Sequence, residues 1–166
     1  MGPERHELTG LAARVLDAAR RQGMMIATAE SCTGGLIFAT LTEIAGSSDV
    51  MDRGFVTYSN AAKTEMLGVD PDAIAAAGAV SETVARQMAD GALERSGAAL
   101  AVAVTGVAGP GASGAKPEGR VCFALARRGG AAAAETVDFG AIGRAGVRAA
   151  TVAHALALVN RALSGN

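Results

Sequence analysis

Residues 24–45, MMIATAESCTGGLIFATLTEIA, pass from an apolar run through a small polar turn and back into a helical pattern. MMIATA has the length of a buried strand, and after Gly34 and Gly35 the apolar residues return at helical spacing, so the order is strand, loop, helix. In an open α/β sheet such a loop lies beyond the carboxyl end of its strand, where the next helix presents unpaired amides and the positive end of its dipole. Here that position holds Ser31, Cys32 and Thr33, ahead of two glycines that let backbone approach a ligand closely.

The rest of the chain repeats the alternation. Upstream, Leu8, Leu11, Val15 and Ala19 recur at helical spacing and mark an amphipathic first helix. Downstream, RGFVTYS (53–59) is β-branched and aromatic, reads as a second strand, and is followed by a short helical piece, NAAKTEML (60–67). Asp70-Pro71 and Gly78 punctuate the next stretch, and SETVARQMADGALERSG is a helix capped by Ser81. AALAVAVTG (98–106) lacks alternation, as a strand covered on both faces does. A glycine and proline loop spans Gly106 to Gly119. RVCFALARR and AAETVDF form a hairpin turned at Gly129-Gly130, and a last helix runs from about Arg144 to Leu163. This order predicts one domain over 1–166, a three-layer α/β/α sandwich with a mixed, mostly parallel sheet, its early strands parallel and an antiparallel pair near the end.

Composition narrows the function classes. Half the residues are apolar and the formal net charge is -1, which favours neither disorder nor a basic nucleic-acid-binding face. No apolar run approaches the ~20 residues of a membrane span, and the opening MGPERHELTG lacks the apolar core of a signal peptide. A soluble cytoplasmic protein with reduced cysteines is expected, without zinc, because Cys32 and Cys122 show no metal-ligand spacing. Alanine-rich helices point to a homo-oligomer.

Ser31 is a candidate nucleophile, and it needs a base. The two histidines are poorly placed: His6 lies off the apolar stripe of the first helix, and His154 falls opposite the stripe of Val152, Leu156, Val159 and Leu163, facing solvent. Lysine is the next option, and Lys63 and Lys116 are the only two among fifteen basic residues. A desolvated lysine can release its proton whereas arginine cannot; an ordinary one, with a pKa near 10.4, is neutral in about one molecule in 2,500 at pH 7. Tyr58, the single tyrosine, stands at a strand end five residues before Lys63, placed to orient it or relay to it. Each choice has a plainer counterpart: Ser31 and Thr33 as helix caps, Lys63 as an exposed residue on a short helix, Cys32 as a rival nucleophile or a small buried filler. TGVAGPGASGAKPEG fits a phosphate cradle but not the P-loop pattern. Arg148, inward on the last helix, suits a phosphate or a core carboxylate equally.

Taken together, TAESCTGG, GFVTYSNAAK, GAVSETVA and TGVAGPG, in this order, resemble the CinA C-terminal domain family over nearly the whole chain. Stand-alone members are nicotinamide-nucleotide amidases, and the resemblance implies hydrolysis of nicotinamide mononucleotide to nicotinate mononucleotide and ammonia, with no metal or organic cofactor; from composition, no nucleic-acid or membrane partner is expected. It implies Ser31 as nucleophile, Lys63 as base and Tyr58 in the same pocket. Glu30, Cys32, Thr33, Gly34, Gly35, Asn60, Thr105 and Gly106 follow as substrate-binding positions, with loop amides from Cys32 to Gly35 facing the oxyanion. Two departures stand out. The glycine loop is the shorter GASGAKPEG, with Glu118 where valine is usual, and GAIGRAGVR leaves open whether Arg144 or Arg148 holds the phosphate. Longer relatives carry an additional N-terminal domain, which this chain is expected to lack. The alternatives are a non-catalytic nucleotide-binding regulatory module linked to competence or DNA damage, and a thiol amidase built on Cys32.

Overall fold

The structure is a computed structural model that describes residues 2–165. Its elements are α1 (Arg5–Arg21), β1 (Ile26–Glu30), α2 (Leu36–Thr42), β2 (Met51–Val56), α3 (Asn60–Leu67), α4 (Pro71–Ala77), α5 (Glu82–Glu94), β3 (Leu100–Gly106), β4 (Arg120–Arg127), β5 (Ala133–Asp138) and α6 (Arg144–Ser164). The strands form one sheet in the order β2-β1-β3-β4-β5. β1 runs parallel to both neighbours, whereas β3–β4 and β4–β5 are antiparallel. Parallel pairs need crossovers, which α2 and the α3–α5 segment supply. The carboxyl ends of β1, β2 and β3 therefore open on one edge, and the three loops singled out in the sequence meet there.

Strand alternation sorts the core by size. Ile26, Leu100, Val102, Val104 and Phe123 face α1, α2 and α6, while Ala27, Ala29, Ala101, Ala103, Ala124 and Ala126 face α5. A floor of methyl groups lets α5 lie close to the sheet, and Ser81 starts that helix by accepting the Val84 amide at 3.2 Å. α3 crosses against α5 at Gly91, where an added Cβ would stand 2.0 Å from the Leu67 carbonyl oxygen. That contact seats α3, and hence Lys63, over the sheet.

Two features depart from the sequence reading. Pro71–Ala77 is a helix, started by Asp70, whose carboxylate accepts the Asp72 amide, and by Pro71 in its first turn. Its residues are mostly alanine and none is buried, so it carries no apolar stripe to read. His154 is not in solvent. Its ring lies 4.5 Å from that of Phe123 and 6.2 Å from that of Phe139, and it contacts Glu135 of β5. The helical wheel sees only the central stripe of α6, whereas β4 and β5 widen the covered face. No helix among the described residues is long and apolar enough to cross a membrane.

Gly91→Ala tests the α3–α5 seat. Alanine gains up to about 1 kcal/mol in helix propensity, but a methyl group 2.0 Å from a carbonyl oxygen has no room to relax into. The overpacking penalty of ~1–3 kcal/mol or more wins, and the urea unfolding midpoint is expected to fall.

Candidate active site

Glu30 ends β1 fully buried, and its carboxylate is saturated by neutral donors. One oxygen accepts the Thr33 hydroxyl at 2.7 Å and the Ile37 amide at 2.8 Å; the other accepts the Phe38 amide at 3.0 Å and the Thr28 hydroxyl at 3.2 Å. The first α2 amides thus find their acceptor in the preceding strand. Thr33 is not the helix cap; its hydroxyl donates to Glu30, and Gly35, at φ +101, makes the N-cap turn together with Gly34 at φ +59. The Ser31 amide donates to Val104 of β3 at 3.1 Å, which fixes where the loop leaves the sheet. Glu30, Thr33, Gly34 and Gly35 shape this turn from behind and do not line the pocket beside it.

That pocket has a volume of about 360 Å³ and brings together Ser31, Cys32, Tyr58, Asn60, Lys63, Thr105, Gly106 and Arg144. Lys63 reaches it from α3, whose first turn is capped by the Ser59 hydroxyl accepting from Ala62 at 3.0 Å. Only 1% of Lys63 is exposed. Its Nζ lies 2.9 Å from Ser31 Oγ, 2.9 Å from the Thr57 carbonyl oxygen and 3.3 Å from that of Tyr58. The two carbonyls accept only, so they hold two N–H groups and leave the third tetrahedral direction of the nitrogen on Ser31. In the neutral amine that direction is the lone pair, and Ser31 donates to it. Among the described residues no carboxylate forms an ion pair with Lys63. Burial pushes its pKa below the ordinary lysine value, opposed only in part by the nearby Cys32.

Other expected residues take different parts. The Tyr58 phenol does not orient Lys63: the ring is 59% exposed and its hydroxyl accepts from Arg144 Nη2 at 2.9 Å, so the tie to the lysine runs through the main-chain carbonyl. Arg144, the first residue of α6, also donates to the Gly109 carbonyl at 2.8 Å and so bridges the end of β2 to the glycine loop across the pocket mouth. Both its partners are neutral oxygens. Arg148, one turn on, donates to the Thr33 carbonyl at 3.1 Å behind the Ser31 loop and does not line the pocket. Among the described residues it meets no core carboxylate, and its Nε is buried without a partner. Cys32 is 5% exposed, and burial pushes its thiol up to about 11, the reverse of the thiolate a reactive cysteine needs.

Among the amides from Cys32 to Gly35, that of Gly34 already donates to Ser31 O at 3.0 Å, and the Cys32 amide, directly after Ser31, has no backbone acceptor among the described residues. The Thr105 hydroxyl donates to the Ala79 carbonyl at 2.9 Å, and Gly106 packs against Val121, whose methyl a Cβ would meet at 2.6 Å. The glycine loop is fastened from outside: Lys116 donates to the Ala77 and Val80 carbonyls, and the Gly111 amide donates to Glu118 at 2.7 Å. The loop is therefore not a ring of free amides. Lys116 and Gly109 escape a reading by motif, since their partners are carbonyls and a guanidinium supplied by distant elements.

The family model described as the CinA C-terminal domain matches residues 8–163. A CinA-like protein of Mycolicibacterium gilvum is 53% identical over 149 residues, covering 89% of this chain and 35% of that protein. The chain thus spans about a third of the length of the curated relatives it matches. Among solved structures, the competence/damage inducible protein CihA from Agrobacterium tumefaciens is 50% identical with a TM-score of 0.92, covering 99% of this chain and 98% of that one. A competence-damaged protein (CinA) superfamily protein from Klebsiella pneumoniae is 35% identical with a TM-score of 0.91, covering 96% and 99% of the two chains. By its family match, its relatives and its fold, this chain belongs to the CinA C-terminal domain family.

Proposed function

We propose that the protein is a serine-lysine amidase that hydrolyses the carboxamide of nicotinamide mononucleotide to nicotinate mononucleotide and ammonia. The observation that carries this reading is the 2.9 Å contact between Ser31 Oγ and Lys63 Nζ, with the amine held by two carbonyls and, among the described residues, paired with no carboxylate. A lysine so placed serves as a base when neutral, and burial favours that form.

Neutral Lys63 takes the Ser31 proton as Oγ bonds to the carboxamide carbon, and the carbonyl oxygen becomes an oxyanion facing the Cys32 amide. A donor of this kind is worth roughly 3–4 kcal/mol in the transition state. The protonated Lys63 then gives its proton to the departing nitrogen; the C–N bond breaks, ammonia leaves, and an ester on Ser31 remains. Water attacks that ester while Lys63 accepts its proton, the C–Oγ bond breaks, and the proton returns to Ser31. Arg144, fixed at the mouth by neutral acceptors, has its charge free for the nucleotide phosphate.

A regulatory module that binds the nucleotide without turnover would use the same pocket, and ammonia release separates the two. Wild type is expected to release ammonia from nicotinamide mononucleotide. Lys63→Arg and Lys63→Met should lower kcat about 10²–10⁴-fold, and Ser31→Ala at least as far. Binding by wild type with no ammonia would instead favour the module.

The pH dependence follows from the sign of the lysine shift. Activity needs the neutral amine, so kcat/KM should rise with pH through an ionisation below the ordinary lysine value, and Lys63→Met should lack that limb.

Cys32→Ala decides against the thiol mechanism if it keeps activity within a few-fold of wild type. Slow alkylation of Cys32 by iodoacetamide near neutral pH is expected alongside, because the thiol is buried and protonated. Loss of ammonia release in Cys32→Ala alone would reverse the assignment.

A further inference from the structure

Glu118 is half-buried, and its carboxylate turns back under the glycine loop instead of pointing into solvent. It accepts the Gly111 amide at 2.7 Å, and a Cβ at Gly109 would stand 2.4 Å from its Cδ, so the carboxyl group is lodged against the main chain of the loop. Gly109 and Gly111 both line the pocket. Arg144 holds the same segment from the mouth through the Gly109 carbonyl. A negative charge thus sits behind the loop while the positive charge sits at its rim. Among the described residues Arg144 and Glu118 form no ion pair, so neither neutralises the other directly. An anion entering the pocket meets a loop backed by an internal carboxylate.

We infer that Glu118 is a specificity-determining residue: by setting a negative charge behind the pocket-lining glycine loop, it weakens that loop as a place for phosphate and leaves recognition of an anionic substrate to Arg144. The inference rests on the pocket being the substrate site proposed above, and it concerns which charge the pocket admits. It predicts that the protein discriminates less between phosphate-bearing and phosphate-free carboxamides than it would with a neutral residue at position 118. Two substitutions separate the two effects of the side chain. Glu118→Gln removes the charge but keeps an oxygen that can accept the Gly111 amide; Glu118→Val removes both.

Inorganic phosphate is titrated into ¹⁵N-labelled wild type, Glu118→Gln and Glu118→Val, with the Gly111 amide resonance as reporter. Gln and Val are both expected to bind phosphate more tightly than wild type, by roughly three- to tenfold, as removal of one nearby like charge gives, with the shifts confined to the pocket-lining loop. Equal affinity in all three proteins, or tightest binding by wild type, overturns the inference. In parallel, KM for nicotinamide mononucleotide should fall in Glu118→Val while KM for nicotinamide riboside stays within twofold of wild type; an equal fall for both would overturn it too. If none of the proteins releases ammonia, the amidase reading fails, and the phosphate titration still decides the role of Glu118. The Gln variant guards against misfolding, since it retains the acceptor that ties the loop.

Discussion

The site depends on one constraint: an amine nitrogen taken almost completely out of water with only neutral oxygens around it. Lys63 is 1% exposed, and among the described residues its neighbours within hydrogen-bond distance are the Ser31 hydroxyl and two main-chain carbonyls. A charged ammonium there loses its hydration and gains no counter-charge, so the balance moves toward the neutral amine. Much of the surrounding structure serves that placement. Ser59 caps α3 so that Lys63 points inward, Gly91 lets α3 settle on α5, and the end of β2 turns two carbonyls toward the nitrogen.

A buried carboxylate one residue before the serine looks at first like the missing counter-ion. Glu30 is fully buried, yet its oxygens are filled by two hydroxyls and two amides, and it forms no ion pair with Lys63 among the described residues. Charge on one side of the loop is balanced by helix amides and charge on the other is avoided by desolvation. Had the two groups paired, the lysine would be held protonated. Their separation lets one turn carry a rigid acidic anchor and a basic amine within a few residues of the same serine.

The mouth of the pocket is built on the same economy of charge. Arg144 is held by a phenol and a carbonyl, which fix its direction without neutralising it. Lys116 and Glu118 fasten the glycine loop to the α4–α5 turn and to itself. The fold is shared at 50% identity with a competence/damage inducible protein from Agrobacterium tumefaciens; how the glycine loop is fastened is a matter of individual side chains such as Glu118.

The strand-loop-helix order, the parallel early strands, the closing hairpin and the Ser81 cap were legible because each is written in local periodicity and in turn chemistry. The motif residues that line the pocket were legible as candidates, but their partners were not. Ser31 and Lys63 are 32 positions apart, and Tyr58 and Arg144 are 86 apart. The sequence alone therefore determined which segments pack and on which sheet edge their loops emerge, since burial patterns act over a few residues. Only the tertiary structure decided that Tyr58 serves Arg144 instead of Lys63, that Thr33 serves Glu30, that His154 is covered, and that Arg144 rather than Arg148 reaches the pocket. Hydrogen-bond direction and the loss of water around a side chain arise where distant elements converge, and no local pattern encodes them.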